Sequence, residues 1–262
     1  MAEVLIVKSQ EEAGEIYARA VVTALARNPQ LVLGLATGST PHAAYQALAR
    51  RVKEDNLDVS RVQGFALDEY VGLDPEHPES YHSVIFREVV EPVGLNPDLI
   101  HVPHSDIDTL PHAGADYDAA IEAACGVDIQ ILGIGTDGHI GFNEPGSSLA
   151  SPTRMKTLAE QTRLDNARFF NNDVNQVPMH CITQGVGTIM KAKHLVLLAF
   201  GKSKAQAVAA SIEGPITAMC PASALQMHPH ATFIVDEAAA SELKQAEYYQ
   251  WVAHHKPQWQ EL

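Results

Sequence analysis

Short β-branched or leucine-rich runs recur along the chain: VLIV near residue 4, LVLGLA from 31, VQGFAL from 62, DIQILGIG from 128, HLVLLAF from 194 and ATFIVDE from 231. Most of them lack strict apolar/polar alternation, the pattern of strands covered on both faces. Between them, QEEAGEIYARAVVTALAR, PHAAYQALARRVKED and SKAQAVAASIEG place alanine and leucine at helical spacing. This alternation predicts an α/β fold, one domain over 1–262 built on an open, mostly parallel sheet with helices on both faces. In that architecture ligands bind beyond the carboxyl ends of the strands. From about 140 to 185 the chain is richer in Asn, Ser, Pro, Arg and Gln and its periodicity weakens. That change predicts a lid-like segment, about 150–185, over the strand ends.

A formal net charge of -14 argues against nucleic acid and against an anionic membrane surface as partners, because both would be repelled. A few placed cations can still set the field of a pocket for a small anion. No run approaches the roughly 18 to 20 apolar residues that span a membrane, and the first 20 residues have no secretory pattern, so a cytoplasmic protein is expected. Cys125, Cys181 and Cys220 are far apart and form no CxxC pair, which reads as reduced, structural cysteine.

The strand-end rule directs attention to the residues just past each apolar run. After LVLGLA comes Thr37-Gly38-Ser39-Thr40-Pro41, leading into a helix with Pro41 in its first turn. Free N–H groups, two kinds of hydroxyl and the positive end of the helix dipole suit a phosphate there, although an ordinary capped turn would have the same composition. Gly133, Gly135 and Gly138 have GxGxxG spacing, but Gly141, Pro145 and Gly146 interrupt the helix a dinucleotide site requires. Close approach of the backbone to a smaller ligand is the better account. Asp137, His139 and Glu144 share that loop, where carboxylates could fix the tautomer of an acid-base imidazole; the alternative is a solvated surface turn. The spacing HxxxxE lacks a third evident ligand and the HExxH pattern, so no metal is expected. Asp68 and Glu69 end an otherwise apolar strand, so one of them should enter the ligand crevice or cap the next element. Arg168 and Lys204 are candidate phosphate cations, Lys204 standing just past a strand in the opening turn of a helix.

Together these segments resemble the glucosamine-6-phosphate deaminase family over nearly the whole chain. LGLATGSTP, FALDEYVGLDPEHPESYHS, LGIGTDGHIGFNEPGSSLASPTRMKTL, TRLDNARFFNNDVNQVP, ITQGVGTIMKA and LQMHPHATFIVDE stand in family order and spacing. The resemblance implies a Rossmann-like fold related to ribose-5-phosphate isomerase and CoA transferase architectures. It implies aldose-ketose isomerisation and deamination of glucosamine-6-phosphate to fructose-6-phosphate and ammonia, with no cofactor. Asp68 matches the base moving a proton between carbons 2 and 1, and His139 the ring-opening residue, with Asp137 and Glu144 in support. Thr37, Gly38, Ser39, Thr40, Arg168 and Lys204 match the phosphate site. Some members are hexamers activated by N-acetylglucosamine-6-phosphate, so a homo-oligomer is expected, and Ser147, Arg154 and Lys156 match the effector phosphate site. The family's effector region also uses the N-terminal amine, which aligns here only if Met1 is removed to leave Ala2, and a tyrosine where this chain has Gln250 beside Tyr249. The competing readings are a galactosamine-6-phosphate deaminase, a 6-phosphogluconolactonase and a non-catalytic phosphosugar sensor. The lactonase gives no reason for Asp68 together with the His139 cluster.

Overall fold

The computed structural model describes residues 2–257 and Leu262. In chain order the strands are β1 (Glu3–Val7), β2 (Val32–Leu35), β3 (Gln63–Ala66), β4 (Asp68–Tyr70), β5 (Ile100–His101), β6 (Ile129–Leu132), β7 (Arg154–Thr157), β8 (His180–Thr183), β9 (His194–Ala199) and β10 (Ala231–Asp236). The α-helices are α1 (Gln10–Arg27), α2 (His42–Glu54), α3 (Tyr81–Ile85), α4 (Glu91–Val93), α5 (Leu110–Ala123), α6 (Glu160–Asn166), α7 (Val186–Ile189), α8 (Ala205–Ile212) and α9 (Ala246–His254).

Seven strands form one sheet in the order β1-β10-β9-β6-β2-β3-β5, and every neighbouring pair is parallel. Six of the seven are the apolar runs; β5, only two residues long, has no such run to mark it. Every residue of β2, β6 and β9 is buried. Because successive side chains point to opposite faces, burial without alternation means that both faces are covered, as the runs predicted. Helix α1 starts where Ser9 Oγ accepts the N–H of Glu12, and it buries Ala13, Tyr17, Ala18, Val21 and Leu25. At Gly14 an added Cβ would lie 2.5 Å from the carbonyl oxygen of Ala43, so this glycine lets α1 and α2 meet at backbone distance.

A second, antiparallel sheet, β4-β8-β7, departs from the predicted pattern. After β3 the chain leaves the main sheet at Leu67, whose N–H donates to Leu35 O (2.9 Å) and whose carbonyl accepts from Gln184 N (2.7 Å). Asp68 then pairs with Thr183, and Thr183 with Arg154 on the other side. The stretch 150–185 thus supplies β7 and β8, with α6 and two short 3-10 turns between them. It packs with Tyr70 and Phe142 around a separate small core of Leu158, Ala167, Phe170, Val177 and Cys181. Among the described residues no helix is long and apolar enough to cross a membrane.

Candidate functional site

The loop after β6 is drawn tight by its own backbone. Gly135 N donates to His139 O (2.9 Å), Gly138 N to Gly135 O (3.1 Å) and Asn143 N to Ile140 O (3.1 Å). His139 Nδ1 comes within 2.7 Å of Asp137 Oδ1 and 3.6 Å of Glu144 Oε2. The backbone N–H of His139 donates to Asp137 Oδ1 (3.2 Å), while Nδ1, close to the same oxygen, makes no aligned hydrogen bond to it. The hydrogen-bonding and charge of His139 nonetheless hold Asp137 down at about 2, so it stays ionised at neutral pH. Glu144 is fixed from its other oxygen, which accepts from Thr162 Oγ1.

Two glycines of this loop, Gly135 and Gly138, make room for the protein's own side chains. A Cβ on Gly135 would lie 2.2 Å from the His139 ring, and one on Gly138, at φ +88, would lie 2.5 Å from Cys220 Sγ. Gly133 leaves ordinary contact distance, 3.9 Å, to Thr40 of the loop after β2. In that loop Gly38 takes φ +93, and Pro41 stands at the cap of α2 rather than within its first turn. No side chain caps α2, which leaves its first N–H groups available. Thr37, Gly38 and Thr40 are half-buried and Ser39 is exposed.

The two acidic residues that open β4 have different surroundings. Glu69 is the cap: its Oε1 accepts from Tyr70 N (2.8 Å) and Tyr81 N (3.0 Å), and its Oε2 from His82 N (2.8 Å), which ties β4 to the start of α3. Asp68 is 6% exposed, and its Oδ2 lies where a Cβ on Gly141 would be 3.3 Å away. Burial, with the neighbouring Glu69 carboxylate adding to it, pushes Asp68 up to about 8. Gly141 is only two residues from His139, so the loop carries carboxylate and imidazole to one neighbourhood.

Lys204 is half-buried in the 3-10 turn leading from β9 into α8. Burial lowers its pKa, Arg168 adds to that, and Asp137 and Asp165 oppose it. Those interactions bring Lys204, Arg168 and the His139 cluster into one field. Arg168 is exposed, with its guanidinium carbon 4.7 Å from the centre of the Phe169 ring. Ser147 stands between β6 and β7, and Arg154 and Lys156 stand on β7. Ser147 Oγ is buried without a hydrogen-bond partner, while Arg154 and Lys156 share one face of β7. Arg154 Nη1 donates to Asn143 Oδ1 (2.8 Å), and Asn143 is the residue before Glu144. Met1, whose removal would place Ala2 first, lies outside the described residues; Tyr249 is buried and Gln250 exposed.

Among the described residues Asp137, His139 and Glu144 form the one group with metal-ligand atoms in mutual reach. The 2.7 Å between Oδ1 and Nδ1 is shorter than the roughly 3.3 Å that separates tetrahedral ligands held at about 2.0–2.1 Å. The trio is spaced as an ion pair with a second carboxylate, and a metal would have to spread it.

The model of the glucosamine-6-phosphate isomerases/6-phosphogluconolactonase family matches residues 8–234. The chain belongs to that family. It is 65% identical to a glucosamine-6-phosphate deaminase of Bifidobacterium longum (strain DJO10A), with 99% of each chain covered. It is 59% identical to one from Streptomyces avermitilis, over 98% of this chain and 99% of that one. Among solved structures, a monomeric glucosamine-6-phosphate deaminase superposes with a TM-score of 0.88 at 40% identity, covering 92% of this chain and 99% of its own. A 6-phosphogluconolactonase from Trypanosoma brucei reaches 0.74 at 17% identity, over 93% and 99%, and shares the fold. The quoted segments contain Asn143, Thr162 and Gln184 but assigned them no role, because these side chains act through backbone and side-chain hydrogen bonds that only the fold assembles.

Proposed function

We propose that this protein is a glucosamine-6-phosphate deaminase that converts glucosamine-6-phosphate and water to fructose-6-phosphate and ammonia. One observation carries the reading: a buried carboxylate held near neutral pKa, Asp68, stands beside the loop that presents the His139 cluster. A lactonase needs only to deliver water, whereas two separated acid-base groups suit an aldose-ketose shift. His139, with Asp137 and Glu144 beside Nδ1, moves a proton between the ring oxygen and the anomeric hydroxyl and opens the pyranose. Asp68 then takes the proton from carbon 2, acidified by the adjacent carbonyl or iminium, and returns it to carbon 1. Water adds to the resulting ketimine and ammonia leaves. Atoms and electrons balance without a redox or metal cofactor. Ammonia release should be fast with glucosamine-6-phosphate, at least tenfold slower with the galacto epimer, and unchanged by a chelator; equal rates on both epimers would overturn the gluco assignment.

The sugar phosphate is anchored by the N–H groups and hydroxyls of 37–40, by Lys204 and by Arg168, with the 150–185 segment closing over it. A charge-assisted hydrogen bond contributes about 1.5–3 kcal/mol. Lys204→Ala is therefore expected to raise KM roughly 10- to 100-fold with a smaller change in kcat. A kcat loss at constant KM, in steady-state kinetics, would remove Lys204 from the phosphate site.

N-acetylglucosamine-6-phosphate is the proposed effector, bound by Ser147, Arg154 and Lys156. The unpartnered Ser147 hydroxyl is an available donor, and the Arg154–Asn143 bond gives a physical route from that group to Glu144. Saturating effector should lower the substrate concentration at half-maximal rate in the parent and not in Arg154→Ala; an unchanged parent curve would discard the effector. The homo-oligomer reading draws support from Tyr248 and Trp251, three residues apart on α9 and 46% and 59% exposed. Hexamers or smaller assemblies would show in sedimentation, and a monomer, as in the relative with the 0.88 TM-score, would end that reading.

A further inference from the structure

The stretch of chain that carries Arg168 is fastened on both sides of it to one tyrosine. Helix α6 ends at Asn166, a 3-10 turn of Ala167–Phe169 follows, and Phe170 comes next. Asn166 Nδ2 donates to the Tyr70 hydroxyl (2.9 Å), and the Phe170 ring meets the Tyr70 ring edge-on with centroids 5.7 Å apart. One turn earlier on the same face of α6, Thr162 Oγ1 donates to Glu144 Oε1. Tyr70 is a firm anchor. It is 1% exposed, pairs with Cys181 of β8 and stands two residues after Asp68 on β4. Its hydroxyl also accepts from Tyr81 (3.4 Å), and the Thr37 side chain hydrogen-bonds toward the Tyr81 hydroxyl in turn. The loop after β2 and the turn bearing Arg168 therefore lean on the same pair of tyrosines. Arg168 itself is exposed, its guanidinium over the exposed Phe169 ring. A long exposed side chain samples many rotamers, so the backbone that carries it decides where its charge falls.

We infer that Asn166 is a positioning residue for phosphate binding: by tying the end of α6 to Tyr70, it sets where the Arg168 guanidinium stands relative to the loop 37–40. The inference rests on the phosphate site proposed above. It requires no contact between Asn166 and the substrate.

Binding of inorganic phosphate to the full chain, followed by 31P NMR titration, reads this placement without turnover. Arg168→Ala should weaken phosphate at least about tenfold, the scale of one charge-assisted hydrogen bond. Asn166→Ala should weaken it about fivefold, the net worth of a neutral one. Tyr70→Phe keeps the ring against Phe170 and removes only the hydroxyl, and should match Asn166→Ala. The decisive variant is Asn166→Ala/Arg168→Ala, which should bind phosphate no more weakly than Arg168→Ala, since Asn166 then has nothing to position. In steady-state kinetics with glucosamine-6-phosphate, Asn166→Ala should raise KM by a larger factor than it lowers kcat. Circular dichroism establishes that each variant is folded. An extra fivefold loss in the double variant would make Asn166 a support of the fold alone and overturn the inference, as would parent-like phosphate affinity in Asn166→Ala or Tyr70→Phe. Parent-like affinity in Arg168→Ala would instead remove Arg168 from the phosphate site, and this inference with it.

Discussion

Asp68→Asn is expected to cut kcat at least about a hundredfold with little change in KM, the usual scale for removing an acid-base group. The amide keeps the shape of the carboxylate and cannot take a proton from carbon 2. Because Asp68 sits near 8, the parent's kcat/KM should fall about tenfold per pH unit below that value, as the base becomes protonated in the free enzyme. The residual activity of Asp68→Asn should lack that limb. A parent profile flat from pH 6 to 9 would remove Asp68 as the base.

The same substitution should stabilise the fold at alkaline pH, and linkage sets the sign. Burial raises Asp68 above its ordinary carboxylate value, so between about 4 and 8 the native state holds a proton that the unfolded state has released. Stability contributed by this group is complete below the lower value and is lost as pH rises to the upper one. Asparagine does not ionise. At pH 8.5 Asp68→Asn should therefore unfold at a higher temperature than the parent, by about 2–4 °C if only 1 kcal/mol of the cost is recovered. At pH 4 the two should nearly coincide, and a variant that is less stable at both pH values would contradict the assignment of burial as the cause.

Six strands of the parallel sheet were legible because each lies in a largely apolar run, and burial on both faces leaves that signature in sequence; β5 left none. The antiparallel sheet was not legible. Strand β4 is Asp-Glu-Tyr and β7 is Arg-Met-Lys-Thr, so neither has an apolar run, and their pairing with β8 is set by contacts more than 20 residues away along the chain. The chemistry-bearing side chains were legible where a strand end or a glycine loop exposed them. Spacing alone limited Asp68 and Glu69 to two tasks and only the family resemblance singled out Asp68, because the position of α3 decides which carboxylate receives the N–H groups of Tyr81 and His82. The spacing of Gly133, Gly135 and Gly138 pointed to a close approach by a small ligand. What approaches Gly135 and Gly138 within the protein is His139 and Cys220, and the cysteine lies some 80 residues further along the chain.

That partner makes Gly135 a sharp test of how the imidazole works. A methyl group at Gly135 would lie 2.2 Å from the ring, so Gly135→Ala must swing His139 away from Asp137 and Glu144 without altering any titrating group. Misplacement by about 1 Å can cost a hundredfold in rate, and kcat is expected to fall on that order while the phosphate-dependent part of KM is kept. His139→Gln should lose at least as much. If both changes act on one step, the double variant should be no slower than His139→Gln alone, since residues acting as a unit are not additive. A further hundredfold loss in the double variant would mean that the alanine disturbs something other than His139, such as the turn closed by the Gly135 N to His139 O bond. Release of the imidazole has its own signature. His139 is the main reason Asp137 is held at about 2, so in His139→Gln the Asp137 carboxylate should titrate closer to the ordinary range, as read by NMR. An Asp137 titration unchanged by loss of the imidazole would leave the pair without the coupling on which ring opening depends.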